Sequence, residues 1–362
     1  MKILIIEPYY TGSHKQWAEG YKKYSQHEIR ILSMKGQFWK WRMHGGAVTL
    51  AREFNNLKYN PDIILSTDML DLSTFLALTK TKARSAIYFH ENQLSYPWSP
   101  NDRDIIKKRD HHYGFINYAS ALSADHVFFN SRFHMDSFLS DLHPFLKHFP
   151  DYNEMQTINN IQDKSEVLHL GIELKRFDSY ENMKHDKPLI LWNHRWEYDK
   201  NPELFFNILE QLKNKNYDFD LVVLGENFSN SPKIFQKAKN IFKDNILHWG
   251  YSKDFNSYAK WLWRANILPI TSNQDFFGVS IIEAIYCGVY PLLPKRLSYP
   301  ELIPNELHKD FFYNNSQDLY KKIIKSVENH NLQELKALKE FTTKYDWKYL
   351  APVYDDRMKS IL

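Results

Sequence analysis

The chain holds a single cysteine, Cys287, in 362 residues. One thiol excludes an intramolecular disulfide and argues against a structural zinc site, which draws on several cysteine and histidine ligands at short spacing. Cys287 sits in the apolar stretch after Gly278, where a small buried hydrophobe is the expected role. Long hydrophobic runs are lacking too: no window approaches the roughly 18 apolar residues that read as a membrane span. The opening run Met1-Lys-Ile-Leu-Ile-Ile-Glu7 is too short for a secretory leader and has no cleavage site, so a soluble, cytoplasmic protein is expected. Nor does one sign of charge dominate. Lys and Arg total 47 against 43 Asp and Glu, and a net +4 is compatible with a polyanionic partner without establishing one. No internal repeat or low-complexity tract is present.

What is there is alternation. Hydrophobic residues make up 43 %, enough for two packed cores in a chain of this length. Ile3–Ile6, Glu28–Ser33, Ile63–Ser66, Ala86–His90 and His126–Asn130 read as strands in the first half, with helical patterns between several of them. Leu189–Asn193, Leu221–Leu224, Ile246–Trp249 and Asn266–Ile270 repeat that logic in the second half. Such alternation implies α/β architecture, a parallel sheet covered on both faces in each half. His143–Lys164 is expected as a long loop or short irregular helices, and the hinge is expected in the polar segment Asp178–Pro188. The expected domains are residues 1–180, residues 187–345 and a final helix in residues 346–362.

The most informative segment is Asp275-Phe-Phe-Gly-Val-Ser-Ile-Ile-Glu283. It follows the apolar strand and reads as a helix opening at Gly278. That puts one carboxylate before a helix N-terminus and another one turn inside it. Between them lie free backbone N–H groups and the positive end of a helix dipole. An anion can dock there, near Phe276, Phe277, Gly278 and Val279, while Asp275 and Glu283 hold hydroxyls. The plainer alternative is two helix-surface acids, but Phe276-Phe277-Gly278 is hard to explain by helix stabilisation alone. Arg195 and Lys200 follow the strand Leu189–Asn193 and precede Pro202, a suitable first helical residue. Together they can neutralise a departing diphosphate. Glu197 and Asp199 would repel it and are expected to point away or toward the acceptor.

Weaker signals follow other strand ends. Gly12-Ser13-His14 is either a phosphate-approaching turn or a plain one, short of a full glycine fingerprint. His90-Glu91-Asn92-Gln93 closes a strand with four polar residues, although a histidine there is often only packing. Gly225-Glu226-Asn227-Phe228 can contact a nucleotide. Trp39-Lys40-Trp41-Arg42 interleaves aromatics and cations, as an exposed loop that stacks on bases or as a helix start with buried tryptophan faces. Arg103, Lys107, Lys108 and Arg109 could extend a basic surface, with a solvated helix face as the leading reading. Asp102-Arg-Asp104 and Asp218-Phe-Asp220 carry metal-binding spacing but sit in a charged helix start and before a strand. No metal is expected at either.

The Asp275–Glu283 segment resembles the acidic motif of retaining GT-B glycosyltransferases of the family-4 type, in which the first acid is usually Glu. Leu189-Ile-Leu-Trp-Asn-His-Arg195, Lys200-Asn-Pro-Glu203 and Val167-Leu-His-Leu-Gly171-Ile-Glu173 match that pattern as well. Longer strings resemble the tRNA-queuosine α-mannosyltransferase family: Ile3-Leu-Ile-Ile-Glu-Pro-Tyr-Tyr-Thr-Gly-Ser-His14, Tyr88-Phe-His-Glu-Asn-Gln-Leu-Ser-Tyr-Pro97, Phe128-Phe-Asn-Ser131 and His248-Trp-Gly-Tyr251. Trp39–Arg42 and His194–Lys200 are similar too. The resemblance implies a GT-B fold, two Rossmann-like doubly wound domains facing a central cleft, with the last helix crossing back to the first domain. It implies GDP-mannose as co-substrate and queuosine in a tRNA anticodon as acceptor, and since fixed cations and helix dipoles can do a metal's electrostatic work, no metal or other cofactor is expected. Arg195, Lys200, Asp275 and His90 are then the expected catalytic residues. Gly12, Ser13, His14, Gly225, Glu226, Phe276, Phe277, Gly278, Val279 and Glu283 join Arg195, Lys200 and Asp275 as the donor-binding set. Trp39, Lys40, Trp41, Arg42, Asn92 and Gln93 are expected on the acceptor. A same-fold enzyme acting on a lipid or polysaccharide, or a non-catalytic tRNA-binding protein, are the alternatives. Oligomeric state is not legible. Asp275→Asn is expected to weaken selection of the donor sugar in transfer assays; an unchanged rate with GDP-mannose would remove Asp275 from the site.

Overall fold

Six apolar segments of the first half pair in parallel as β1 (Lys2–Tyr10), β2 (Glu28–Lys35), β3 (Ile63–Thr67), β4 (Arg84–Phe89), β5 (His126–Phe129) and β6 (Ser165–Val167). Their order across the sheet is β2-β1-β3-β4-β5-β6. Ile3 lies opposite both Ile29 and Ile63, and the central strands are buried along their length, as a sheet covered by helices on both faces requires. The computed structural model describes residues 1–98, 102, 104, 111–227, 231–328 and 332–362. Arg103, Lys107, Lys108, Arg109 and Phe228 lie outside the described residues. Among the described residues no helix is long and apolar enough to cross a membrane.

The second half repeats the construction with β7 (Leu189–Asn193), β8 (Asp220–Leu224), β9 (Ile246–Trp249), β10 (Ile267–Pro269), β11 (Tyr290–Pro294) and β12 (Phe312–Tyr313). All are parallel, in the order β12-β11-β10-β7-β8-β9. Three strands carry no clear periodic signal. β6 and β12 span three and two residues, too short for any period. β11 begins Tyr290-Pro291 and ends at Pro294, yet lies between β10 and β12. Proline argues against an inner strand, and here tertiary pairing overrides it. His143–Lys164 is more ordered than expected: the helix Arg132–Lys147 runs through Pro144, and Thr157–Gln162 forms another.

Contacts divide the chain into one unit of Met1–Glu173 with Tyr345–Leu362 and a second of Leu174–Lys344. The last helix, Trp347–Ile361, belongs to the first unit. Trp17 Nε1 donates to the Tyr354 hydroxyl at 3.1 Å, and the Tyr21 hydroxyl donates to Asp355 Oδ1 at 3.0 Å. The Trp347 indole is buried against Gly20 and Gly171, where any Cβ would overlap it. Gly20→Ala is therefore expected to cost about 1–3 kcal/mol through overpacking; an unchanged denaturant midpoint would show that Trp347 moves aside freely.

Candidate active site

In open α/β sheets ligands bind beyond the carboxyl ends of the strands, where the strand order reverses. In the second unit that point lies between β7 and β10. The turn after β7 delivers Lys200 and the turn after β10 delivers Asp275. Lys200 is 8 % exposed. Its Nζ donates to the Gln274 carbonyl at 2.7 Å and lies 3.1 Å from Asp199 Oδ2 and 3.7 Å from Asp275 Oδ2. Burial works against the ammonium, but Asp275 and Asp199 outweigh it and hold the pKa above the ordinary lysine value. The two turns are laced together. Thr271 Oγ1 donates to the Lys200 carbonyl at 2.9 Å, and Asn273 N donates to the Asp199 carbonyl at 2.7 Å. Asp275 is fixed in turn by the Tyr299 hydroxyl, 3.2 Å from Oδ2. Asp199 is thus not turned away from the cations, and neither is Glu197, whose Oε2 lies 3.2 Å from the Arg195 guanidinium. Their charge is spent on the neighbouring cations. Arg195 is the more exposed of the two cations, with 47 % of its side chain open. His194 between them is held neutral, its pKa lowered to about 3 by burial and then by Lys200.

Gly278 takes φ 102° and caps the helix Val279–Tyr286, as the apolar pattern predicts. A left-handed backbone there favours glycine. Phe276 and Phe277 are buried and anchor the turn, while Ser298 Oγ donates to the Phe277 carbonyl at 3.0 Å. Val279 and Ser280 stand in the first helical turn, whose N–H groups lack intrahelical acceptors. One turn in, Glu283 is buried and its Oε2 accepts from the Tyr258 hydroxyl at 2.6 Å. Asn193 Nδ2, at the end of β7, donates to the same hydroxyl at 3.0 Å and to the Ser280 carbonyl at 3.2 Å. Burial raises the Glu283 pKa, opposed by the Tyr258 bond and the Arg176 charge. Gly225 serves close approach: at φ 115°, any Cβ would overlap the His194 carbonyl oxygen. Its neighbour Glu226 is exposed and accepts from Trp196 N at 3.0 Å through its carbonyl.

The first unit reverses its strand order between β1 and β3. Gly12 and Ser13 open the helix Gly12–Tyr24, so His14 stands in its first turn. Its Nδ1 lies 2.9 Å from Oε2 of the fully buried Glu7. The His90 ring is 4.1 Å from that of His14, centroid to centroid, and neither His90 ring nitrogen has a hydrogen-bond partner among the described residues. Burial, with the His14 charge beside it, holds His90 neutral. Its backbone N–H donates to Asp68 Oδ1 at 2.8 Å. Asn92 is buried and its Oδ1 accepts from Leu94 N and Ser95 N, shaping the turn. Gln93 N donates to Asn117 Oδ1 at 2.8 Å, and its side chain donates to Glu91. Donor atoms of Glu7, His14 and His90 fall within 4.8 Å of one another, yet Glu7 and His14 spend facing atoms on each other.

Trp39–Arg42 is the first turn of the helix Trp39–Asn56, not a loop. Trp39 packs against Trp98 and Tyr113, while Trp41 is 63 % exposed. Lys40 is clamped by Asp102 at 2.6 Å and by Asp104. Arg42 Nε donates to the Lys35 carbonyl at 3.1 Å. Both D-x-D pairs hold lysines, since Lys187 pairs with Asp218 and Asp220. Sequence reading missed Phe38, which caps this helix at φ 53° and is 75 % exposed. It also missed Tyr258, Tyr299 and Asn193, which reach the site only by packing. Glu7 left one trace, a carboxylate directly after a buried apolar run.

Two parallel six-stranded sheets, with a paired buried lysine and an acid-flanked helix start at the reversal of the second, define a GT-B glycosyltransferase. Residues 175–345 match the family model described as glycosyl transferases group 1, and residues 2–172 match that described as tRNA-queuosine alpha-mannosyltransferase N-terminal. The tRNA-queuosine alpha-mannosyltransferase of Drosophila melanogaster is 34 % identical over 333 residues, 89 % of this chain and 85 % of that one. The chain belongs to the tRNA-queuosine α-mannosyltransferase family. Its fold is similar to that of Anabaena HepE, solved in complex with UDP, at TM-score 0.70 and 13 % identity over 99 % of this chain and all of that one. Sucrose-phosphate synthase from Thermosynechococcus elongatus superposes at TM-score 0.73 and 12 % identity over 100 % and 99 %.

Removing one partner of a buried ion pair strands the other charge and costs about 3–5 kcal/mol. Lys200→Ala is therefore expected to lower unfolding free energy by about that amount, besides abolishing transfer. A variant of unchanged stability would show that Asp199 and Asp275 do not depend on Lys200.

Proposed function

We propose that this chain transfers mannose from GDP-mannose to queuosine in the anticodon of tRNA, in the cytoplasm, with retention at the anomeric carbon. The observation that carries this is the charged, buried Lys200 beside Asp275 at the strand reversal of the group 1 domain. Departure of GDP concentrates negative charge on the β-phosphate. A preorganised ammonium, with Arg195 beside it and the N–H groups of Val279 and Ser280, stabilises that charge without reorganising at the moment of reaction. Asp275, fixed by Tyr299, orients the sugar, and Glu283, fixed by Tyr258, holds the ribose diol. The acceptor hydroxyl attacks the anomeric carbon from the face the diphosphate leaves. Its proton passes to a phosphate oxygen of the leaving group, so no carboxylate nucleophile is needed, unlike the two-carboxylate hydrolases. The cations already supply the charge that a metal would. Exposed Trp41 offers a stacking face for an unpaired base.

Incubation with separate sugar nucleotides and queuosine-containing tRNA, followed by mass analysis of the nucleoside, is expected to show one added hexose with GDP-mannose. Addition to unmodified tRNA, or none with any donor, would overturn this reading. EDTA is expected to leave the rate unchanged; loss of activity restored by a divalent cation would overturn the metal-free account.

A further inference from the structure

The buried carboxylate of Glu7 has no part in the transfer just described. It lies near the carboxyl end of β1 and is fully buried. Both oxygens are engaged: Oε1 accepts from Tyr9 N at 2.8 Å, and Oε2 accepts from His14 Nδ1 at 2.9 Å. A bond through Nδ1 leaves Nε2 as the atom through which His14 can act, and among the described residues Glu7 is the one hydrogen-bond partner of the ring. The pair stands where the strand order reverses between β1 and β3, the place where open sheets of this kind bind ligands. The His90 ring, 4.1 Å away centroid to centroid and tilted by 34°, has both nitrogens unpartnered among the described residues and lines the same spot.

We propose that Glu7 is a positioning residue that fixes the His14 ring and keeps it an imidazolium, so that Nε2–H binds an anionic phosphate oxygen of a substrate. This rests on the function proposed above and adds a fixed positive charge to the first unit. The oxygen belongs either to the donor diphosphate or to the RNA backbone.

The groups facing His14 come from three strand ends: Glu7 from β1, Asp68 after β3, and His90 and Glu91 after β4. Burial works to lower the His14 pKa, but the charge and hydrogen bond of Glu7, then Asp68 and Glu91, raise it to about 9. Burial pushes Asp68 upward and holds His90 neutral, and the largest of the influences that raise His14 are the charge and hydrogen bond of Glu7. Because the folded value is raised, the cation and the affinity it confers are present at low pH. They are lost as pH rises through about 9. Without the Glu7 charge, the same loss falls at or below about pH 6.5, the ordinary histidine value.

The test uses the full chain, wild type and Glu7→Gln, with dissociation constants for GDP and for an anticodon stem-loop RNA measured from about pH 5.5 to 9.5. At about pH 8, Glu7→Gln is expected to weaken one of the two about tenfold, and acid is expected to restore it. Weakened GDP binding assigns the donor diphosphate, and weakened RNA binding assigns the RNA backbone. A loss equal at every pH, or none, overturns the proposal. Nitrogen-15 NMR titration of His14 in the wild-type chain decides the matter even if Glu7→Gln fails to fold. A His14 that titrates at or below the ordinary value overturns it. Should the wild type transfer no mannose, the proposed function fails, whereas the titration and the GDP and RNA affinities still judge the dyad.

Discussion

The second unit is organised around one ammonium group in a place where a lone charge could not survive. Isolated in a protein interior, a lysine would shed its proton. Lys200 keeps it because Asp199, Asp275 and the Gln274 carbonyl surround Nζ. Those partners come from two turns distant in sequence and adjacent in space. The need to keep them together accounts for much of the local detail. The turn after β7 is laced to the turn after β10, Asn201 takes a left-handed backbone to start its helix, and Tyr299 pins Asp275.

Such an arrangement is poorly suited to adding stability and well suited to chemistry. A buried ion pair is often no better for folding than apolar residues of the same volume. A charge already desolvated and held in place, however, stabilises a developing phosphate anion far more strongly than a hydrated surface lysine could. Glu283 is held in the same manner, its carboxylate tied through Tyr258 to Asn193 at the end of β7. Acid, cation and helix start are thus linked through the end of one strand. In the first unit Glu7 and His14 meet beside the equivalent reversal of strand order, with the same economy of a buried acid and a base.

The two sheets place these groups without using them as a core. Leu189–Trp192 and Ile3–Ile6 are buried on both faces, and the polar residues Asn193 and Glu7 follow directly after them. The helix start at Trp39 shows the contrast within a single turn. Trp39 is packing and Lys40 is clamped by Asp102 and Asp104, whereas Trp41 and Phe38 face solvent.

Local pattern alone carried the alternation of strands and helices, the helix opening at Gly278, Pro202 as a first helical residue, and the pairing of Asp275 with Glu283 across a helix start. Each depends on neighbours within a few residues: apolar period, backbone freedom of glycine, the fixed φ of proline. Family resemblance added the GT-B architecture and the expected roles. Tertiary structure alone decided that Lys200 is enclosed between Asp199 and Asp275, that Tyr258 and Tyr299 steady the two acids, that Lys40 is spent on Asp102 and Asp104, and that Pro291 lies in an inner strand. Those facts rest on contacts between residues up to 75 positions apart, as from Lys200 to Asp275. No local period records such contacts, because a charge is neutralised by whatever the fold brings near it.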